Sequence, residues 1–108
     1  MPTTYKVLGQ SALTTSTANV YTVPAATQAV VSTVVVTNRT SSNVNYRLAV
    51  QPAGAALANQ HYIAYDAVAA ASDSIALTLG LTLGNTDVIS ANASANSLSI
   101  SIFGSEIT

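Results

Sequence analysis

From Tyr21 to Asn38 the chain runs through a short strand-like stretch, a proline turn and a long β-branched run without a single charge. Val30, Val31, Val34, Val35 and Val36 put apolar groups on both faces of an extended segment. That predicts a central strand with one face on the core and the other partly covered. Downstream, Val44, Tyr46, Leu48 and Val50 alternate with Asn45, Arg47 and Ala49, the period of a strand with one apolar face. A second alternating row follows: Ile75, Leu77, Leu79, Leu81 and Leu83, interleaved with Ala76, Thr78, Gly80 and Thr82. At roughly 1.5–3 kcal/mol per buried side chain, this row is the best candidate for the core. Gly80 marks a place where the strand bends or bulges.

Shorter strands are predicted at Tyr5–Gly9, Asn19–Val23, Tyr62–Asp66, Asp87–Ala93 and Leu98–Phe103. Turns are expected at Pro24, Asn38–Asn43, Pro52–Gly54, Gly84–Asp87 and Ala93–Asn96. The alanines of Ala53–Gln60 favour helix, but Gly54 and the flanking turns argue for an irregular excursion with at most one helical turn. Eight or so short strands at near-regular spacing predict one all-β domain over residues 1–108. The expected architecture is a single sandwich of antiparallel strands, jelly-roll-like, with an immunoglobulin-like sandwich as the alternative.

Composition sharpens the picture. Charged residues make up 6% of the 108 and apolar residues 49%, with a formal net charge of −1. An average domain carries roughly 25% charge, so this surface must be covered by Ser, Thr, Asn, Gln and Ala. Three basic residues build no phosphate-binding track and no long-range field toward nucleic acid or an anionic membrane. Subunit interfaces are depleted in Lys, Glu and Asp, and a surface without charge is poorly protected against association. These features point to a subunit packed among other subunits. The chain has no cysteine, hence no disulfide scaffold and no thiolate metal site. Met1–Lys6 leads into no continuous apolar run, and no run approaches the ~20 residues of a membrane span. Synthesis and retention in the cytosol are expected, unless the chain leaves as part of a larger particle.

The ionisable inventory is short: Lys6, Arg39, Arg47, His61, Asp66, Asp73, Asp87 and Glu106. His61 and Asp66 fall on or beside one predicted strand and hydroxyls abound, yet no nucleophile elbow accompanies them. One His with scattered carboxylates makes no closed metal-ligand set within a protomer. His61 is expected to bond to backbone at a strand start, and Asp87 to hold its own turn. No catalytic, cofactor-binding or metal site is therefore assigned, no cofactor is expected, and the chain is not expected to be an enzyme. Tyr62 and Tyr65, three apart on a strand, should point to opposite faces, one into the core and one toward a surface or partner. Arg39 and Arg47 are either intersubunit anchors or solvent-facing. Asn38-Arg-Thr40 and Asn92-Ala-Ser94 match the glycosylation sequon, as expected by chance in an Asn/Ser/Thr-rich chain.

Several of these segments carry a resemblance. Tyr21-Thr-Val-Pro24, Ala29–Asn38, Tyr46-Arg-Leu-Ala-Val50, Leu77-Thr-Leu-Gly80, Leu83–Ile89 and Ser99–Ile107 together resemble small virion proteins of tailed bacteriophages, over nearly the whole chain from about Tyr5. Leu83–Ile89 followed by a last strand is also similar to trimeric jelly rolls. There a Leu…Gly-Asp-Val turn precedes the closing strand; here Asn85-Thr86 stands between Gly84 and Asp87. The resemblance implies a structural protein that decorates or cements a capsid, with a tail, collar or fibre position as the alternative and a carbohydrate- or receptor-binding module as a second. It also implies a homo-oligomer, a trimer first, contacting the major capsid protein or other virion proteins, assembled in the bacterial host cytoplasm. It transfers no functional residue, because such proteins are defined by packing.

Overall fold

A computed structural model describes residues 2–78 and 80–108. Among these residues nine strands form: β1 (Thr3–Leu13), β2 (Ala18–Thr22), β3 (Gln28–Asn38), β4 (Val44–Gln51), β5 (Tyr62–Ala69), β6 (Ser74–Leu77), β7 (Leu81–Leu83), β8 (Val88–Ala93) and β9 (Leu98–Ile107). One sheet has the order β1-β9-β3-β6, with β7 also on β3; the other has β2-β8-β4-β5. Every pairing is antiparallel.

The pairs are nested along the chain: β1 with β9, β2 with β8, β3 with β6 and β7, β4 with β5. That is one long antiparallel ribbon. Rolling it brings β9 beside β3 and β8 beside β4, which produces a jelly roll. In the immunoglobulin-like alternative the last strand would pair with the strand just before it; here it lies between β1 and β3.

The core lies between the sheets. Val31, Val34, Val36, Leu98, Ile100 and Ile102 enter it from one side, and Val44, Tyr46, Leu48 and Ile89 from the other. The predicted central strand is β3, flanked on both sides, with Val30 and Val35 half-buried on its outer face. The leucine row packs at the rim of the core rather than forming its centre. Ile75, Leu77 and Leu81 are only partly buried and Leu83 alone is buried, while Leu79 lies outside the described residues. The row breaks into two short strands, β6 and β7, around Gly80, whose φ is +61°. Both sit at the edge of the sheet, where a side chain has neighbours on one flank only.

Two other expectations change. The first strand reaches Leu13 and the last reaches Ile107, because the β1–β9 ladder continues through their polar positions; Gln10 Nε2 donates to Ser101 Oγ at 3.2 Å. Residues 52–61 form the expected excursion, with two single 3₁₀ turns at Pro52–Gly54 and Asn59–His61. It passes over the outer face of the second sheet. There Val88, Ala49 and Ser90 are buried although they stand outside the main core. Ser90 Oγ donates to Gln51 Oε1 at 2.6 Å.

The whole chain exposes 5477 Å², close to the ~5,600 Å² that size scaling gives a folded monomer of this mass. Its exposed apolar residues are therefore not a sign of loose packing.

Candidate functional site

Most ionisable groups are engaged in holding the fold. Asp87 accepts from Gly84 N through Oδ2 and from Ala53 N through Oδ1, both at 2.8 Å, so it pins its own turn and the start of the excursion. His61 Nδ1 accepts from Ala58 N at 3.0 Å, the backbone role expected of it. Asp73 Oδ1 accepts from Ser74 N at 2.8 Å. Arg39 is exposed on the loop after β3. No three His, Asp or Glu side chains gather into a metal-holding group among the described residues. His61 and Asp66 are thus committed to different partners rather than to each other.

Glu106 closes one end of the sandwich. Tyr21, buried on β2, donates its hydroxyl to Glu106 Oε2 at 2.6 Å, and Lys6 Nζ reaches Oε1 at 3.3 Å. The Tyr21 bond, helped by Lys6 and opposed by burial, holds the Glu106 carboxyl below its ordinary value near 4.5. Burial first, then the carboxylate, push the Tyr21 hydroxyl above its ordinary value near 10.0. The signs differ. Glu106 stabilises the fold above its unfolded value, and that contribution is lost as pH falls through the lowered folded one. Tyr21 stabilises it below 10.0, and that contribution fades as pH rises beyond. Chemical denaturation should therefore show a plateau through neutral pH with a falling limb on either side. Tyr21→Phe is expected to lower the plateau by about 1–2 kcal/mol and to flatten the alkaline limb; an unchanged alkaline limb would contradict this assignment.

Two surfaces remain as candidates. The first is on the outer face of the second sheet. Arg47 on β4 holds Asp66 on β5 bidentately, Nε–Oδ1 at 2.7 Å and Nη2–Oδ2 at 3.3 Å. Its guanidinium stacks 4.0 Å from the Tyr65 ring centroid. Tyr62 and Tyr65 do not face opposite ways: their rings meet edge to face, centroids 4.9 Å apart. The reason is irregular pairing. The β4–β5 register shifts between Tyr46 and Leu48 and again between Leu48 and Ala49, and Asp66 has a φ of +53°. Extra residues on β5 turn Tyr65 back toward Tyr62, as bulges do. Beside the cluster lies a cleft of about 290 Å³ lined by Asn45, Arg47, Asp66, Asn92 and Ser94 among others. Asp66 and Arg47 are open to solvent, and such pairs add little to stability. Asp66→Asn, which keeps a residue tolerant of positive φ, is expected to leave the thermal unfolding midpoint nearly unchanged; a large drop would show that the pair holds β5 in place.

The second surface is the outer face of the first sheet. Tyr5 (85% exposed), Val7 (44%), Val30 and Phe103 surround a shallow apolar depression of about 590 Å³ with Gly104 and Ser32 in its wall. Here β1 shifts register between Val7 and Gly9 and β3 between Val31 and Thr33, on either side of Phe103–Gly104 of β9. Bulges on both flanking strands bend the sheet at this line. Unbroken alternation would place Tyr5 and Val7 on the same face as the buried Leu13; the bulge between Val7 and Gly9 turns them outward instead. The visible signal was Tyr5 and Val7 themselves, two apart at the start of a strand.

Of the sequon residues, Asn38 is buried and its side-chain amide is fully bonded, while Asn92 lines the polar cleft.

Comparison of the chain with protein-family models, with curated proteins and with solved structures gives no match in any of the three.

Proposed function

We propose that this protein is a structural subunit of a virus particle, a tailed-phage capsid decoration or cement protein acting through protein–protein contacts. The observation that carries the reading is the charge-poor, partly apolar exterior of the jelly roll. On the first sheet's outer face a tyrosine and a valine stand in solvent although the core beneath is complete. Jelly rolls occur in viral capsid proteins and equally in lectins and cupins, so the fold alone does not choose a function. The surface and the resemblance of the strand segments to virion proteins support this one. The major capsid protein, other virion proteins and further copies of the chain are its partners in this reading, with a trimer favoured.

The test is the composition and symmetry of assembled particles. Mass spectrometry of purified virions should find this chain, and reconstruction should place it in hundreds of copies on the shell. A few copies at one vertex would move it to the tail, collar or fibre. Virions that lack it would sink the proposal.

One observation favours a second reading, a carbohydrate- or receptor-binding module: Tyr65, 58% exposed, beside the cleft lined by Asn45, Asp66, Asn92 and Ser94. Aromatic rings and amide or carboxylate groups are the chemistry that a sugar's CH face and hydroxyls require. A glycan array in which the wild type binds and Tyr65→Ala does not would establish it.

A further inference from the structure

The two outer faces of the roll are finished differently. The second sheet is roofed by the chain's own excursion and carries the exposed Arg47–Asp66 pair. Among the described residues the first sheet has no such cover over Tyr5 and Val7, and its exposed row is uncharged. Lys6, the one charged residue beside the depression, turns its ammonium to Glu106 at 3.3 Å.

This face carries both halves of a contact. Tyr5, 85% exposed, is a projecting ring; the depression walled by Val7, Val30, Phe103 and Gly104 is an apolar seat beside it. We propose that the seat is filled by Tyr5 of a second copy of this chain, so that the outer face of the β1-β9-β3 layer is the self-association surface. This deepens the virion reading and rests on it for its biological setting.

Three observations select a second copy as the occupant. A projection and its seat on one surface are what a self-complementary contact needs. The face offers no charge for a charged partner to answer, whereas a neutral copy meets it without leaving an ion unpaired. The size also fits. β1, β9 and β3, about ten residues each at ~3.3 Å per residue and ~4.8 Å apart, give roughly 480 Å² in plan, and β6 and β7 end to end beside β3 bring the whole sheet to roughly 600 Å² before side-chain relief, against the ~800 Å² per partner of a stable interface. A buried tyrosine at the centre is the kind of residue that dominates such contacts.

The experiment uses the full chain. Light scattering after size exclusion, at about 50 μM, should give the wild type a mass of two or more chains. Tyr5→Glu should give a monomer with at least a tenfold weaker association constant. Because Tyr5 lies almost wholly in solvent, its unfolding midpoint and circular dichroism should match the wild type, which separates lost association from lost folding. Tyr65→Glu, on the other face, should keep the wild-type mass. A monomeric wild type, a Tyr5→Glu variant that keeps the wild-type mass, or dispersal by Tyr65→Glu alone would overturn the inference. Failure here is distinguishable from failure of the virion reading. A chain that associates through Tyr5 but is missing from virions keeps this interface and loses that setting. A chain present in virions whose Tyr5→Glu form associates normally does the reverse.

Discussion

Replacing Asn38 by alanine is expected to destabilise the domain by about 2–4 kcal/mol, a fall of roughly 10–20 °C in unfolding midpoint for a chain of this size. Asn38 ends β3 and is 2% exposed. Its amide nitrogen donates to Ser42 O at 2.8 Å and to Ala69 O at 2.9 Å. Its side-chain oxygen accepts from Thr40 N at 3.0 Å and from Thr40 Oγ1 at 2.9 Å. One side chain thus ties the β3–β4 loop to the end of β5. Truncation takes both amide donors and the side-chain acceptor away from Ala69 O and Thr40 N, and leaves Ser42 O only Thr40 Oγ1 at 3.1 Å; buried polar groups without partners are costly. Asn38→Asp is the sharper variant. At neutral pH it aims a carboxylate at the two carbonyls and should be at least as damaging as alanine, with part of the loss recovered in acid. Thermal melts at pH 4 and pH 7 decide it; an Asn38→Ala midpoint within a few degrees of wild type would show that the loop is held by other contacts.

Gly104→Ala should be the next most damaging change outside the main core, about 1–3 kcal/mol or more. A Cβ built at Gly104 overlaps the carbonyl oxygen of Val30 and approaches Val31 Cα within 3.0 Å. The obstacle is backbone, which cannot swing aside as a side chain would. Adding the methyl must push β9 away from β3 at the line where both neighbouring strands already change register. Amide exchange should quicken first in Val30–Thr33 and Phe103–Ser105. The same displacement deforms the depression beside Tyr5, so self-association should weaken together with stability. Gly84→Ala is the control: the nearest group to its Cβ is Asp87 Oδ2 at 3.8 Å, and it should be almost silent. Equal effects at the two glycines would refute the close approach.

The electrostatic features were readable in part. A backbone bond for His61 and a turn-holding role for Asp87 follow from short-range chemistry, and both are present. The partners of Tyr21 and Arg47, and the Ala69 carbonyl that Asn38 reaches, are not readable in the same way. Glu106 stands far down the chain from Tyr21, at the opposite end of the rolled ribbon, and only the pairing of β1 with β9 and of β2 with β8 brings the two strands face to face. Tyr62 and Tyr65 show the other limit. Regular alternation sends them apart; register shifts against β4 bring their rings together.

The core shows how hydrophobicity and position differ. Ile75, Leu77, Leu81 and Leu83 belong to a longer apolar row than Leu98, Ile100 and Ile102, yet the latter three are fully enclosed. β9 lies between two strands and under the other sheet, and β6 and β7 lie at an edge. Local pattern reports how apolar a segment is; the number of its neighbours is a property of the roll.

Period-two alternation, β-branched runs and turn residues act over a few positions, and so the amino-acid sequence by itself determined an all-β sandwich with β3 at its centre and turns where the chain reverses. Scarcity of charge, a property of composition, likewise required an exterior built largely of Ser, Thr, Asn, Gln and Ala. The tertiary structure alone decided the nested strand order, the place of β9 at the centre of the core with the leucine row at its rim, and the line of bulges that seats an apolar depression beside Tyr5. Each of these depends on which distant strands pair and where their registers slip. Those are settled by the packing of the whole ribbon and not by any segment of it.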